Sequence, residues 1–144
     1  MKKYDTYKDS GIEWIGEIPE HWNSTRLKFL GETLIGIIYS PDNVVNEGEG
    51  ILVLRSSNIQ DGKLAFEDCV YVDKEVQEKH LVKKGDILLC ARNGSAHLVG
   101  KAAYIEMENV GATFGAFMSI VRSKLDKYLF YFFSSEVFKA QTGL

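Results

Sequence analysis

Two apolar runs that end in polar tips restrict the fold of this chain more than any other feature. ILVL (51–54) runs into Arg55, Ser56, Ser57 and Asn58, and ILLC (87–90) runs through Ala91 into Arg92, Asn93, Gly94 and Ser95. Such short aliphatic runs, bounded by turn residues, are the pattern of buried strands rather than of helices. Further strands are expected in RLKFLGETL, where Leu27 and Phe29 alternate with Arg26 and Lys28, and in FEDCVYV, VGKAAYIE and GAFMSIVRS. QDGKL holds an Asp-Gly pair, the strongest short signal for a two-residue hairpin turn.

Helical signals are fewer. DKEVQEKHL (73–81) predicts a short helix with Asp73 as its N-cap, and LDKYLFYFFSSEVFKAQ predicts a longer one through Leu125, Leu129, Phe132, Phe133 and Val137. The fold class expected is therefore α+β, mixed and strand-rich with a C-terminal helix. Residues 4–24 carry Gly11, Gly16 and Pro19 and read as an irregular arm that hugs a surface through Trp14 and Trp22. Residues 36–48 read as a long loop, unusual enough in a compact domain to suggest use.

At 144 residues the chain has the size of one domain. No apolar run approaches the roughly 18 residues of a membrane span, and a cytoplasmic setting is expected. Cys69 and Cys90 lack a Cys-x-x-Cys spacing and read as reduced thiols in strands. The net charge of −3 is unevenly spread: residues 1–80 carry 9 basic and 15 acidic side chains, residues 81–144 carry 8 and 5. A free-standing nucleic-acid binder would hold more clustered positive charge, yet Lys83, Lys84, Arg92 and Lys101 make the second half locally basic.

No catalytic constellation emerges. GSAHLVGKA places five residues between its glycines where a phosphate loop has four, and Ala102 stands where Ser or Thr would meet magnesium. Asp42, Glu47 and Glu49 form a solvated acidic loop without the lysine of a metal nuclease, and His21, His80 and His97 have no spacing that unites them. The polar tips suit nucleic acid better. Arginine offers a fork to guanine and asparagine to adenine, while serine, lysine and loop amides take phosphates. Arg55, Ser56, Ser57, Asn58, Arg92, Asn93, Gly94, Ser95 and Lys101 supply that set, although each one singly also suits a solvated turn. Tyr39, Phe114 and Phe117 could stack on bases, with packing the expected role.

Four segments in order are familiar: YKDSGIEWIGEIPEHWNSTRLKFL, VLRSSNIQDGKL, LVKKGDILLCARNGSAHLVGKAA and YLFYFFSSEVFKAQ. Together they resemble the specificity subunits of type I restriction-modification systems, in the N-terminal target-recognition domain. The resemblance implies a non-catalytic reader of one half of a bipartite DNA sequence, with residues 1–124 as the recognition domain, 1–24 as its arm, and 125–144 as the start of a conserved spacer helix that is cut short. It further implies double-stranded DNA and methyltransferase subunits as partners, with a restriction/translocase subunit joined indirectly. No cofactor is expected in the chain itself; S-adenosylmethionine, ATP and Mg belong to the partner subunits. The alternative is a half-subunit or remnant that binds the methyltransferase and modulates assembly without setting specificity.

Overall fold

A computed structural model describes residues 4–92, 95–107 and 110–142. The chain divides into two units, residues 1–30 and 31–144. In the first, β1 (Tyr7–Asp9) and β2 (Glu17–Pro19) pair antiparallel, Lys8 opposite Ile18, so the segment read as irregular is a hairpin. Gly16 N–H returns to Ile12 O, and Ser10 N–H bonds Gly16 O, which closes the turn that the glycines announce. Trp22 stands edge-on to Tyr4, and His21 also packs on Tyr4; Trp14 stays half exposed. Leu27–Phe29 is a 3-10 turn rather than the first strand. Four alternating residues are too few to fix a strand, and Phe29 is left in solvent with Lys28 over its ring.

The second unit is built on two four-stranded sheets. The strands are β3 (Glu32–Ile35), β4 (Val44–Val45), β5 (Ile51–Leu54), β6 (Ile59–Gln60), β7 (Lys63–Leu64), β8 (Val70–Val72), β9 (Ile87–Cys90), β10 (Ala102–Tyr104), β11 (Ala112–Phe114) and β12 (Met118–Arg122). One sheet has the order β10-β9-β12-β3 and is antiparallel throughout. The other has the order β11-β5-β8-β4, with β11 parallel to β5. The strands expected in ILVL, FEDCVYV, ILLC, VGKAAYIE and MSIVR all form. β11 escapes notice in the sequence because it is only three residues long between Gly111 and Gly115, yet all three of its residues are buried.

Leu52, Leu54, Ile59, Leu88, Cys90, Ala103, Ile105, Phe114, Met118 and Ile120 pack into one core drawn from both sheets. Each large side chain so buried contributes roughly 1.5–3 kcal/mol of apolar transfer. β6 and β7 form the expected hairpin: Asp61 and Gly62 have φ of 48° and 77°, the left-handed pair that a two-residue primed turn requires.

The helix expected at 73–81 does not form; only Glu78–His80 makes a 3-10 turn. Tertiary partners claim its backbone instead. Asp73 N–H goes to Asn43 O, Thr113 Oγ1 donates to His80 O, and Val82 N–H goes to Ala112 O. Such bonds outweigh a local helix preference worth tenths of a kcal/mol per residue. The loop at 36–48 is likewise more ordered than read, with a 3-10 turn at Pro41–Asn43 and β4 paired to β8.

The C-terminal helix is two: α1 (Asp126–Phe133) and α2 (Glu136–Thr142). Ser134 and Ser135 make the break, because Ser135 Oγ bonds Phe132 O and also receives Phe138 N–H. Leu129 and Phe133 are buried, whereas Leu125 and Val137, read as part of the same stripe, are exposed. Among the described residues no helix is long and apolar enough to cross a membrane.

α1 is tied to β10 by Tyr104, whose hydroxyl donates to Asp126 Oδ2 and whose ring lies under Lys127 Nζ. The bond pushes the Tyr104 phenol up to about 12 and holds the Asp126 carboxyl below its usual range. A depressed carboxyl stabilises the fold above its unfolded value near ~4 and ceases to as pH falls through the folded one. A raised phenol stabilises below ~10 and ceases to between there and about 12. Tyr104→Phe should therefore cost about 1 kcal/mol at neutral pH, discounted for solvent screening. The deficit should shrink below about pH 4. Urea unfolding of both chains at pH 7 and pH 3 measures it.

Candidate nucleic-acid interface

The ends of three strands converge. β9 ends at Cys90 opposite Met118, the first residue of β12. β5 ends at Leu54 opposite Phe114, the last residue of β11. β3 ends at Ile35, and the next residue, Gly36, donates to Met118 O. The link from β11 to β12, residues 115–117, lies among them: Gly115 N–H bonds Leu54 O, while Ala91 and Arg92 N–H both bond Phe117 O at 3.0 Å. A parallel bridge between Ile37 and Gly115 completes the junction. Both tips singled out in the sequence thus start from one end of the domain, although their strands belong to different sheets.

The tips are not equivalent. Arg92 is exposed, with no ion pair among the described residues. Ser95 is exposed and opens a 3-10 turn at Ala96–Leu98, its carbonyl accepting Leu98 N–H. Lys101 is half-buried and returns the chain to the same place, its carbonyl accepting Cys90 N–H. Asn93 and Gly94 lie outside the described residues.

The other tip is occupied with holding itself together. Asn58 is fully buried: its Oδ1 accepts Arg55 N–H at 2.9 Å, and its Nδ2 donates to Ala65 O and Asp68 O at 2.9 and 3.0 Å. Read in the sequence as a base-reading amide, Asn58 is a strut that shapes a 3-10 turn at Ser56–Asn58. Ser56 sits on that turn, half-buried. Arg55 bridges Asp68 at 2.8 Å, but its Nε and Ser57 Oγ are buried without a hydrogen-bond partner. Buried donors left unmatched are uncommon, and both belong to the turn that carries this tip.

Three residues at this end escape a reading of the sequence. Phe117 was expected to pack; Phe114 does, fully buried, but Phe117 is 64% exposed. Ile38 is 77% exposed, and Lys74 Nζ donates to its carbonyl, bringing a cation from the segment misread as helix. Phe117 directly precedes the apolar run MSIVR, and nothing in GAFMSIVRS shows that the strand starts only at Met118 and leaves Phe117 on the turn.

One groove away from this end disfavours anions. Val45, Glu47, Phe66, Glu67, Cys69 and Tyr71 line an open groove of about 560 Å³, with Tyr71 Oη donating to Glu47 Oε1 at 3.2 Å. Burial and the neighbouring Glu47 raise the Tyr71 phenol, and the two carboxylates would repel phosphate. Neither Cys69 nor Cys90 is in a disulfide, and Cys90 is fully buried, its Sγ donating to Arg92 O. No cluster of metal-ligating side chains occurs among the described residues.

The sequence matches no family model. It is 29% identical over 110 residues, 74% of its length, to the type I restriction enzyme StySPI specificity subunit of Salmonella potsdam. Identity and span are the same against the type I restriction enzyme EcoKI specificity subunit of Escherichia coli K12. In each case the match covers 24% of the relative, so the chain spans about a quarter of the proteins it resembles. Both relatives are specificity subunits, and the match supports a domain of that kind in this chain.

Proposed function

We propose that this chain is a non-catalytic DNA-recognition domain of a type I restriction-modification complex, reading one half-site of a bipartite target. The observation that carries the reading is the convergence of three strand ends on one surface that presents Arg92, Ser95 and Lys101. Arginine supplies the fork for a guanine edge, and lysine and serine supply phosphate contacts that set register. Arg55 joins them once it leaves Asp68, and its unmatched Nε and Ser57 Oγ then find acceptors. The acidic balance of the chain fits a reader whose partners, methyltransferase subunits using S-adenosylmethionine, supply much of the counterion release.

The test is an exchange. Residues 31–124 replace the corresponding segment of a related methylating complex, and methylated adenines are mapped in the host genome. One half of the methylated sequence should change while the other stays; an unchanged pattern refutes the reading. Within that hybrid, Arg92→Ala should weaken specific binding by about 1–3 kcal/mol and relax the sequence at one position. A loss equal for specific and unrelated DNA would make Arg92 a phosphate contact only.

A further inference from the structure

We infer that Phe117 is a wedge that enters the base stack of duplex DNA at a deformable step, so that part of the sequence is read through bending; this rests on the DNA reading above. The phenyl ring of Phe117 is 64% exposed on the tip of a turn, so a partner that covers it gains the apolar transfer free energy of its surface. Its surroundings point to DNA rather than to an apolar protein face. Its carbonyl accepts the N–H groups of Ala91 and Arg92, so ring and guanidinium project from a shared piece of backbone. Ile38 stands exposed one residue beyond the Ile37–Gly115 bridge, with Lys74 Nζ fixed to its carbonyl. Two apolar side chains are thus flanked by two cations at the end of a domain.

The backbone beneath the ring is held from both sides. Gly115 N–H bonds Leu54 O at 3.0 Å, and Met118 N–H returns to Gly115 O at 2.8 Å. A pinned turn loses little freedom on binding, which favours inserting a rigid ring over ordering a loop. Phenylalanine and isoleucine are side chains that part base steps and kink the duplex. Pyrimidine–purine steps yield at the lowest cost, so the bound sequence should carry TA or CA/TG where Phe117 enters.

The chain is mixed at low salt with a pool of duplexes randomised over about ten base pairs, one helical turn, and bound molecules are sequenced. The parent should enrich a pyrimidine–purine step at a fixed distance from the position that Arg92 sets. Its winning duplex, carrying 2-aminopurine beside that step, should brighten on binding and show a bend by energy transfer between labelled ends. Phe117→Ala should lose about tenfold in affinity for that duplex, within what aromatic contact with a base supports, together with the bend and the brightening. Phe117→Trp should keep all three. If the parent binds selectively without bend or brightening, or if Phe117→Ala matches it, the wedge is refuted while the DNA reading stands. If the parent enriches nothing by itself, the hybrid complex of the exchange test takes its place in the same assay; if that enriches nothing either, the DNA reading falls and the wedge with it.

Discussion

Replacing Arg122 by alanine should lower the free energy of unfolding by about 3 kcal/mol, although the residue sits at a strand end far from the candidate interface. Asp86 is 1% exposed, and Arg122 meets it with two bonds of 2.8 Å, Nε to Oδ1 and Nη2 to Oδ2. The same guanidinium caps Leu81 O at 3.2 Å, and Asp86 Oδ2 also accepts Lys83 N–H. The pair therefore ties the turn before β9 to the end of β12. With the arginine removed, a carboxylate stays buried without its counter-charge, which is why the loss exceeds that of a surface pair at 0–1 kcal/mol. Arg122→Lys should fall between, since an ammonium cannot supply the planar fork. Asp86→Asn added to Arg122→Ala should recover part of the deficit. Urea unfolding of the four chains reads this directly; a loss below about 1 kcal/mol for Arg122→Ala would mean that water screens the pair.

Gly36→Ala should be comparably severe, at about 3 kcal/mol, and should damage the interface as well. A Cβ at Gly36 would run into the carbonyl oxygens of Gly115 and Phe114, both backbone atoms that no rotamer change can move. The chain would have to part where Gly36 bonds Met118 O and Ile37 bonds Phe114 O. Because residues 115–117 carry Phe117 and receive Arg92, the variant should lose selective DNA binding more steeply than its stability loss implies. Thermal unfolding with duplex binding at 10 °C separates the two effects; a variant that unfolds like the parent removes the close approach as a constraint.

What could be read in the sequence follows from how local each signal is. The Asp61-Gly62 turn and the ILVL and ILLC strands declare themselves because their conformation is set by neighbours a few residues away. The 73–81 segment misleads for the opposite reason: its partners, Asn43, Ala112 and Thr113, lie roughly 30 residues distant in either direction, and nothing local reveals them. The same holds at the site. Arg92 and Lys101 are recognisable as cations on a strand-end tip, whereas the inward turn of Asn58 depends on the carbonyls of Ala65 and Asp68 coming back to it, and the exposure of Phe117 on how β11 and β12 close against β5 and β9. Asparagine after a strand has two opposite uses, reaching out to a base or turning in to cap its own loop, and the residue type is the same for both.

The junction at Ile37, Gly115 and Leu54 is made from backbone atoms alone, through N–H and C=O groups that every non-proline residue carries. Exposed side chains that project from it can consequently be exchanged without disturbing the frame that aims them, whereas Gly36 and the buried Leu54 and Phe114 cannot. On the proposed DNA reading, such a chassis would let a lineage acquire new target sequences by a few substitutions at the tips, with folding left unchanged.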